Sequence, residues 1–238
     1  MADFEMQAAI PPNFSGIVRL FPLPNLVMFP HVVQPLHIFE PRYCEMLEDA
    51  LVDDQLIAMA LLLPGWENDY EGRPAIAPVA CLCKVVCHSL LANSKHNILL
   101  QGISRVQVEL ELPPVRTFRQ AKVKLIADTK VEIVERQVSE LQSCLLDAFR
   151  TYARQQHLAV PLAELERHLN KETPLDVLTD IVTFLLPSQR QVKLDLLGEA
   201  NVERRARQLL NFLHNPHGSS PSPRDRSRFL FPPSFSVN

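Results

Sequence analysis

The stretch that decides the fold runs from residue 18 to residue 54 and reads VRLFPLPNLVMFPHVVQPLHIFEPRYCEMLEDALVDD. Its prolines at positions 22, 24, 30 and 35 fix φ and remove backbone donors, so this part is neither a helix nor an unbroken central strand. We expect short extended pieces joined by turns. Pro41 then opens a helix, predicted over about residues 41 to 53, whose apolar side chains recur at helical spacing: Tyr43, Met46, Leu47, Ala50 and Leu51.

Composition restricts the class of protein. With 238 residues, 47% of them hydrophobic, the chain can bury a sizeable core. A net charge of −3 provides no overall positive field for nucleic acid or anionic lipid. No run reaches the roughly 20 apolar residues of a membrane span. The N-terminal residues lack the pattern of a secretory signal and the five cysteines are odd in number, so we expect reduced thiols and a cytoplasmic location.

Downstream patterns predict an α+β fold in two parts. Residues 17–128 carry bounded apolar runs typical of strands, at about 56–63, 79–90, 97–110 and 118–127, and Gly102 marks a bulge or bend in the third. These favour a small, mostly antiparallel β-barrel. Residues 129–214 show helical periodicity and predict an α-helical bundle. Residues 1–16 are predicted to be a flexible lead-in, and the Pro/Ser/Arg-rich residues 215–238 a disordered tail.

The opening run resembles the start of the Lon protease N-terminal domain. Similarity continues through a Gly102-containing strand into the helices, and covers roughly residues 17 to 213. It implies a small PUA-like β-barrel followed by a helical subdomain. It also implies that the domain as a whole binds protein substrates. The matching pieces are Pro22-Leu23-Pro24, Met28-Phe29-Pro30, Pro35 to Glu40, Pro41-Arg42-Tyr43, Val79 to Leu82, Ile98 to Val106, Leu178 to Val182, Leu186-Pro187 and Arg204 to Leu210.

Catalytic signatures of the full Lon enzyme are missing from these 238 residues. The sequence contains no GxxxxGK[ST] phosphate loop, and none of its lysines stands beside a serine in a glycine-flanked turn. We therefore expect a stand-alone domain without the ATPase and protease domains, which is not an enzyme and has no cofactor.

A cysteine-rich strand raises the question of a metal site. Cys81, Cys83 and Cys87 would point to one face of a strand and His88 to the other. A tetrahedral zinc site needs ligands that converge from turns, whereas this spacing places them in a line. The pattern favours small core side chains, and no metal is predicted.

Protein or peptide recognition is the predicted function, as an adaptor in protein quality control or proteolysis with a protease or chaperone as partner. An apolar turn and two loop aromatics are the candidate contacts, because exposed apolar groups recognise flexible chain. The turn could equally pack on the core, above all at Phe29. The candidate peptide-binding residues are Leu26, Val27, Met28, Phe29, Trp66 and Tyr70.

Two alternatives remain open at the level of sequence. PUA-like barrels include RNA binders, and basic residues surround Phe118 at Arg116, Arg119, Lys122 and Lys124. A charged sheet edge would explain the two lysines equally well, and we favour that interpretation over nucleic acid. The second alternative is a regulatory subunit associated with a peptidase.

Overall fold

The structure is a computed structural model that describes residues 10–91, 95–129, 134–158, 169–170, 172–188 and 190–216. The chain divides into two compact units, Met1–Ala127 and Asp128–Asn238. Residues 1–9 of the predicted lead-in, residues 217–238 of the predicted tail and residues 159–168 of the predicted helical bundle lie outside the described residues. The domain limits proposed from sequence stay predictions.

The first unit is built from six strands and one α-helix. Four strands and the first helix agree with the sequence prediction to within a few residues. A short 3-10 helix, Trp66–Asp69, lies in the loop after the third strand. The elements are β1 Ile17–Leu23, β2 Val33–Ile38, α1 Pro41–Leu51, β3 Leu56–Leu62, β4 Ile76–Leu90, β5 His96–Glu111 and β6 Arg119–Ile126.

These strands form one six-stranded sheet in the order β2-β5-β4-β3-β1-β6, and β5 pairs additionally with β6. All pairs are antiparallel except β1 with β3. The predicted antiparallel pairing is therefore found, but the six strands do not form the closed β-barrel that was predicted. Among the described strands β2 pairs with β5 alone, so it lies outside the ring of pairings that the other five strands make.

Proline placement explains how β1 can be an inner strand. Pro22 is opposite Ala60 of β3, whereas the pairing of β1 with β6 covers only residues 17 to 20. The missing backbone donor of Pro22 therefore falls where the neighbour on one side has already diverged, and no ladder hydrogen bond is lost. Pro35 lies in β2, at the edge of the sheet, where a proline is tolerated for the same reason.

Gly102 in β5 lies against the turn that precedes β2. The register of β5 against β4 shifts at this point, from Leu82 opposite Ser104 to Cys83 opposite Gly102, which confirms the predicted bulge. The His31 amide donates to the Gly102 carbonyl, and the Gly102 amide donates to the Val32 carbonyl, both at 2.9 Å. A Cβ atom at position 102 would lie 2.0 Å from the Phe29 carbonyl oxygen, so only glycine permits this approach.

Helix α1 is joined to β1 by one buried arginine. The Arg19 side chain is 8% exposed and donates to Asp49 (2.5 Å), Asp54 (2.7 Å) and Asp53 (2.8 Å) at the end of the helix and in the turn after it. Three carboxylates compensate the desolvation of one guanidinium, which is the condition for burying an ion pair. The buried side of α1 contains Tyr43, Met46, Leu47 and Ala50, as its spacing predicted, while Leu51 is only half-buried.

The second unit contains helices α2 Glu135–Gln155, α3 Leu175–Leu185, α4 Arg190–Gly198 and α5 Val202–His214. Helix α2 buries an apolar stripe formed by Leu141, Leu145, Phe149 and Tyr152, which recur at helical spacing in the sequence. The stripe does not extend to the start of the helix, because Val134 is 66% exposed. No helix in the described part of the chain is both long and apolar enough to cross a bilayer.

Buried charge also organises the second unit. The Arg205 side chain on α5 is fully buried and donates to both carboxylate oxygens of Asp128, at 3.1 and 2.7 Å. It also approaches Asp180 of α3, likewise fully buried, with 3.4 Å between Nε and Oδ1. A backbone carbonyl, that of Glu199, accepts a further bond at 2.7 Å. One guanidinium thus joins two helices to the start of the unit.

Substituting Gly102 by alanine is expected to destabilise the first unit by at least about 3 kcal/mol, because backbone must move to admit the new atom. Gly65→Ala is the matched control: Gly65 has φ of +95° but nothing within 4 Å of an added Cβ. Backbone strain alone should then cost about 1 kcal/mol. Urea unfolding followed by circular dichroism measures both, and an equal loss for the two variants would contradict the steric explanation.

Substituting Arg205 by methionine is expected to reduce the free energy of unfolding by about 3 to 5 kcal/mol, because Asp180 then keeps a buried charge without its cation. Arg207→Met removes an exposed ion pair with Glu203 on the same helix and should change it by less than about 0.5 kcal/mol. Thermal unfolding of the two variants checks this order. Similar free energies of unfolding for the two variants would show that the buried Arg205 charge does not stabilise the second unit.

Candidate functional site

Three of the four residues of the predicted contact turn belong to the core. The exposed fractions of Val27, Met28 and Phe29 are 5%, 1% and 0%, and only Leu26 is partly exposed. The backbone of the same turn lies against Gly102, with the Phe29 carbonyl oxygen in the space that a Cβ atom there would occupy. The expectation that these three residues present an apolar surface is corrected accordingly.

The two loop aromatics lie together. Trp66 is in the 3-10 helix after β3 and Tyr70 immediately follows that helix. Their rings meet edge to face, with centroids 5.4 Å apart, and both side chains are half-buried. Each keeps some exposed surface, so this pair remains available for contact. Trp66 is less exposed than a tryptophan in an acidic loop was expected to be.

Four residues, called here the Arg42 cluster, fix this loop to the start of α1: Glu40, Arg42, Tyr43 and Tyr70. Arg42 Nε and Nη2 donate to Glu40 Oε2 at 3.1 and 3.0 Å, and Nη1 donates to the Tyr70 carbonyl at 3.1 Å. The Tyr70 hydroxyl donates to Glu40 Oε1 at 2.6 Å. The guanidinium carbon lies 4.6 Å from the Tyr70 ring centroid and 4.8 Å from that of Tyr43, within cation–π range.

Both phenols of the Arg42 cluster are held in the protonated form. Burial, followed by the hydrogen bond to Glu40, raises the pKa of Tyr70 to about 12. Burial also raises the pKa of Tyr43, whose hydroxyl donates to the Pro22 carbonyl at 3.4 Å. At neutral pH Tyr70 is therefore protonated and donates its hydrogen bond to Glu40.

An open cleft of about 190 Å³ lies beside the Arg42 cluster, within the first unit. One wall comes from Arg42, Tyr43 and residues 71–73, and the other from residues 112–114 and 116–120, in the connection from β5 to β6 and the first two residues of β6. Thr117 Oγ1 donates to Glu45 of α1 at 2.5 Å, and Arg116 lies 3.4 Å from Asp49. The second wall is thereby connected to the same helix as the first.

Glu111 joins two arginines of the cleft. Arg119 donates to its carboxylate through Nε (2.9 Å) and Nη2 (2.5 Å), and Arg73 donates to it through Nη2 (3.0 Å). Burial opposes ionisation of Glu111, but hydrogen bonds and charge from Arg119 and Arg73 outweigh it and lower the pKa of this carboxyl. Glu111 is therefore an anion at neutral pH and keeps both guanidinium groups in place.

Arg73 and the wall formed by residues 112–120 are the site residues that sequence reasoning missed. The available signals were Gly72-Arg73-Pro74 and Pro113-Pro114, which are typical of turns but do not say which turns meet in space. Arg116 and Arg119 were considered only for RNA. The described contacts of Tyr70 likewise involve the start of α1 and not the turn at Leu26, and Trp66 contacts Tyr70.

The basic strand considered for RNA has a neighbouring strand on both sides over part of its length. β6 pairs with β1 over residues 119–122 and with β5 over residues 121–126, so Lys122 does not lie at a sheet edge, whereas Lys124 is paired with β5 alone. Lys122 instead contacts Glu109 of the paired strand, with 3.7 Å between the charged atoms. This cross-strand pair accounts for one lysine within the sheet.

The cysteine-rich strand shows the geometry expected of core residues at two positions. Cys81 and Cys83 are fully buried in β4, whereas Cys87 is exposed. Within the described residues no group of three histidine, cysteine or acidic side chains could hold a metal ion. His88 and His96 do meet, with 2.8 Å between ring nitrogens, as neighbours on β4 and β5.

The known proteins to which this chain is similar include bacterial Lon proteases. The Lon protease of Roseiflexus castenholzii is 27% identical over 212 residues, which cover 85% of this chain and 24% of that protein. The Lon protease of Brevibacillus choshinensis is 26% identical, over 82% of this chain and 24% of its own length. The chain thus spans about a quarter of the length of these relatives.

Solved structures show the same fold. The N-terminal domain of the Mycobacterium avium complex Lon protease matches with a TM-score of 0.64 at 14% identity, covering 84% of this chain and 98% of that one. A Lon N-terminal domain protein from Xanthomonas campestris matches with a TM-score of 0.60 at 20% identity, covering 82% and 98%. The model of the substrate-binding domain of the ATP-dependent protease La (LON) matches residues 17–215, so the chain belongs to this family.

Proposed function

We propose that this chain recognises protein segments and holds them in the cleft beside Trp66 and Tyr70. The family to which it belongs is named for substrate binding, and the relatives that it matches are proteases. The observation that carries the proposal is the cleft itself, which is lined by two connections rich in proline and arginine. The aromatic pair lies next to this lining, because the Tyr70 ring contacts Arg42 and the Trp66 ring contacts Tyr70.

The walls of the cleft suit a segment of extended chain. Pro113 and Pro114 cannot donate backbone hydrogen bonds and present apolar rings, and Val115 beside them is 84% exposed. Trp66 and Tyr70 add aromatic surface with few rotatable bonds, which is ordered at low entropic cost on binding. Leu26, with its partial exposure, is kept as an additional contact residue of the proposal.

We also propose an adaptor role, in which the chain brings proteins to a protease or chaperone. Catalysis is assigned to no residue, because the matched family model describes a substrate-binding domain and the phosphate-loop motif is absent from the sequence. In this proposal the helices of the second unit form the helical bundle of the family, and residues 17–128 and 129–214 are its two parts.

Binding can be followed through Trp66, the single tryptophan of the chain. Unfolded, fluorescein-labelled casein is expected to shift the Trp66 emission, and Trp66→Ala is expected to weaken binding about tenfold, as loss of an aromatic anchor does. Fluorescence anisotropy of the labelled casein measures the affinity of the wild type and the variant.

Leu90→Ala provides the matched control, because Leu90 lies at the end of β4 and is 65% exposed. It removes an exposed apolar side chain of the same unit, away from the residues that line the cleft. Casein affinity should be unchanged. Loss of binding in Leu90→Ala with retention in Trp66→Ala would place recognition elsewhere and refute the proposed site.

A further inference from the structure

The cleft has an uneven set of charges. Four arginines line it, Arg42, Arg73, Arg116 and Arg119, and Glu71 is the single acidic residue among the lining side chains. We propose that these arginines bind the carboxylates of acidic side chains, so that the preferred substrates are protein segments in which glutamate or aspartate accompanies apolar residues. The inference rests on the proposed function and specifies its substrate class.

Three of the four guanidinium groups are already oriented by carboxylates outside the lining. Glu40 holds Arg42 through two hydrogen bonds, and Glu111 holds Arg73 and Arg119 as described above. The backbone carbonyl of Leu112 also orients Arg73, from which it accepts a hydrogen bond at 2.9 Å. Side chains that are ordered before binding lose little conformational entropy when a ligand arrives, and their contribution to affinity rises accordingly.

The arginines still have donors to offer. A guanidinium has five N–H groups. Arg42 uses one N–H on each of three nitrogens in its described hydrogen bonds, and Arg73 donates through Nη2 to both of its acceptors. Arg42 keeps one N–H on each terminal nitrogen, and two such groups can bind the two oxygens of a carboxylate through parallel hydrogen bonds. Arg73 keeps the N–H groups of Nε and Nη1, each of which can donate a single hydrogen bond.

Arg116 is the arginine best able to move onto a ligand. Its side chain is 52% exposed, against 34% for Arg73 and 10% for Arg119. Its contact with Asp49 is long, at 3.4 Å, and Asp49 already accepts the shorter bond from Arg19. Exchanging this contact for a carboxylate of the substrate would therefore lose little, because exposed ion pairs contribute at most about 1 kcal/mol.

Charge balance favours a protein ligand over nucleic acid. The four arginines are matched by four acidic residues in contact with them or in the wall: Glu40, Asp49, Glu71 and Glu111. The described ion pairs already compensate each of these arginines, whereas non-specific binding of a chain of phosphates requires a series of uncompensated positive charges. A single carboxylate, in contrast, needs only one oriented guanidinium group. The adjacent prolines and Val115 can contact the apolar residues that neighbour the carboxylate in the substrate.

Two labelled peptides test the inference: a short extended peptide with alternating leucine and glutamate, and the same peptide with glutamine at every glutamate. We expect the glutamate peptide to bind the full chain about tenfold more tightly in an anisotropy titration, a difference of about 1.4 kcal/mol, and to lose this advantage at high salt. Arg116→Gln should reduce the affinity for the glutamate peptide and leave the glutamine peptide unaffected.

Lys122→Gln is the control, because it removes an equally exposed positive charge on β6, where Lys122 contacts Glu109 and does not line the cleft. Equal affinity for both peptides would overturn the charge preference and leave the proposed function standing, whereas failure of the peptides and of unfolded casein to bind would overturn both. Tighter binding of single-stranded RNA than of the glutamate peptide, lost in Arg116→Gln, would overturn the inference in favour of phosphate.

Discussion

The contact between the turn at residues 29–32 and Gly102 is the constraint on which the first unit depends. Two backbone hydrogen bonds join the turn to β5, and the Phe29 carbonyl occupies the space of a side chain at position 102. This contact positions the start of β2 on β5 and buries Val27, Met28 and Phe29. It also sets where the chain enters Glu40 and α1, and therefore where the Arg42 cluster lies.

Charged residues provide the second level of organisation in both units. Arg19 holds the end of α1 on β1, the Arg42 cluster holds its start against the loop after β3, and Arg205 joins α3 and α5. In each case carboxylates surround an arginine, so the charge is compensated where water has been removed. Glu111 extends the same principle to the cleft, where a carboxylate orients arginines that are partly open to solvent.

The sequence predicted those features that depend on neighbours along the chain. The buried face of α1, the limits of β3 to β6 and the bulge at Gly102 follow from periodicity and from the properties of proline and glycine. Partners far apart could not be predicted, because nothing local indicates that Arg73 and Arg119 share Glu111, or that Asp180 meets Arg205. The same limit affected the candidate site. Trp66 was identified from the sequence of its loop, but the residues that line the cleft between positions 112 and 120 were not.

Strand β1 pairs in parallel with β3 and in antiparallel with β6, and this arrangement has a consequence for folding. Ile17 is opposite Lys122, more than a hundred residues along the chain, so the first strand acquires its second neighbour only when the last one is available. Contacts of such long sequence separation slow folding, because a large loop must close before they form. During vectorial synthesis the apolar β1 must therefore remain incompletely paired until β6 has left the ribosome, and the second unit is made only afterwards.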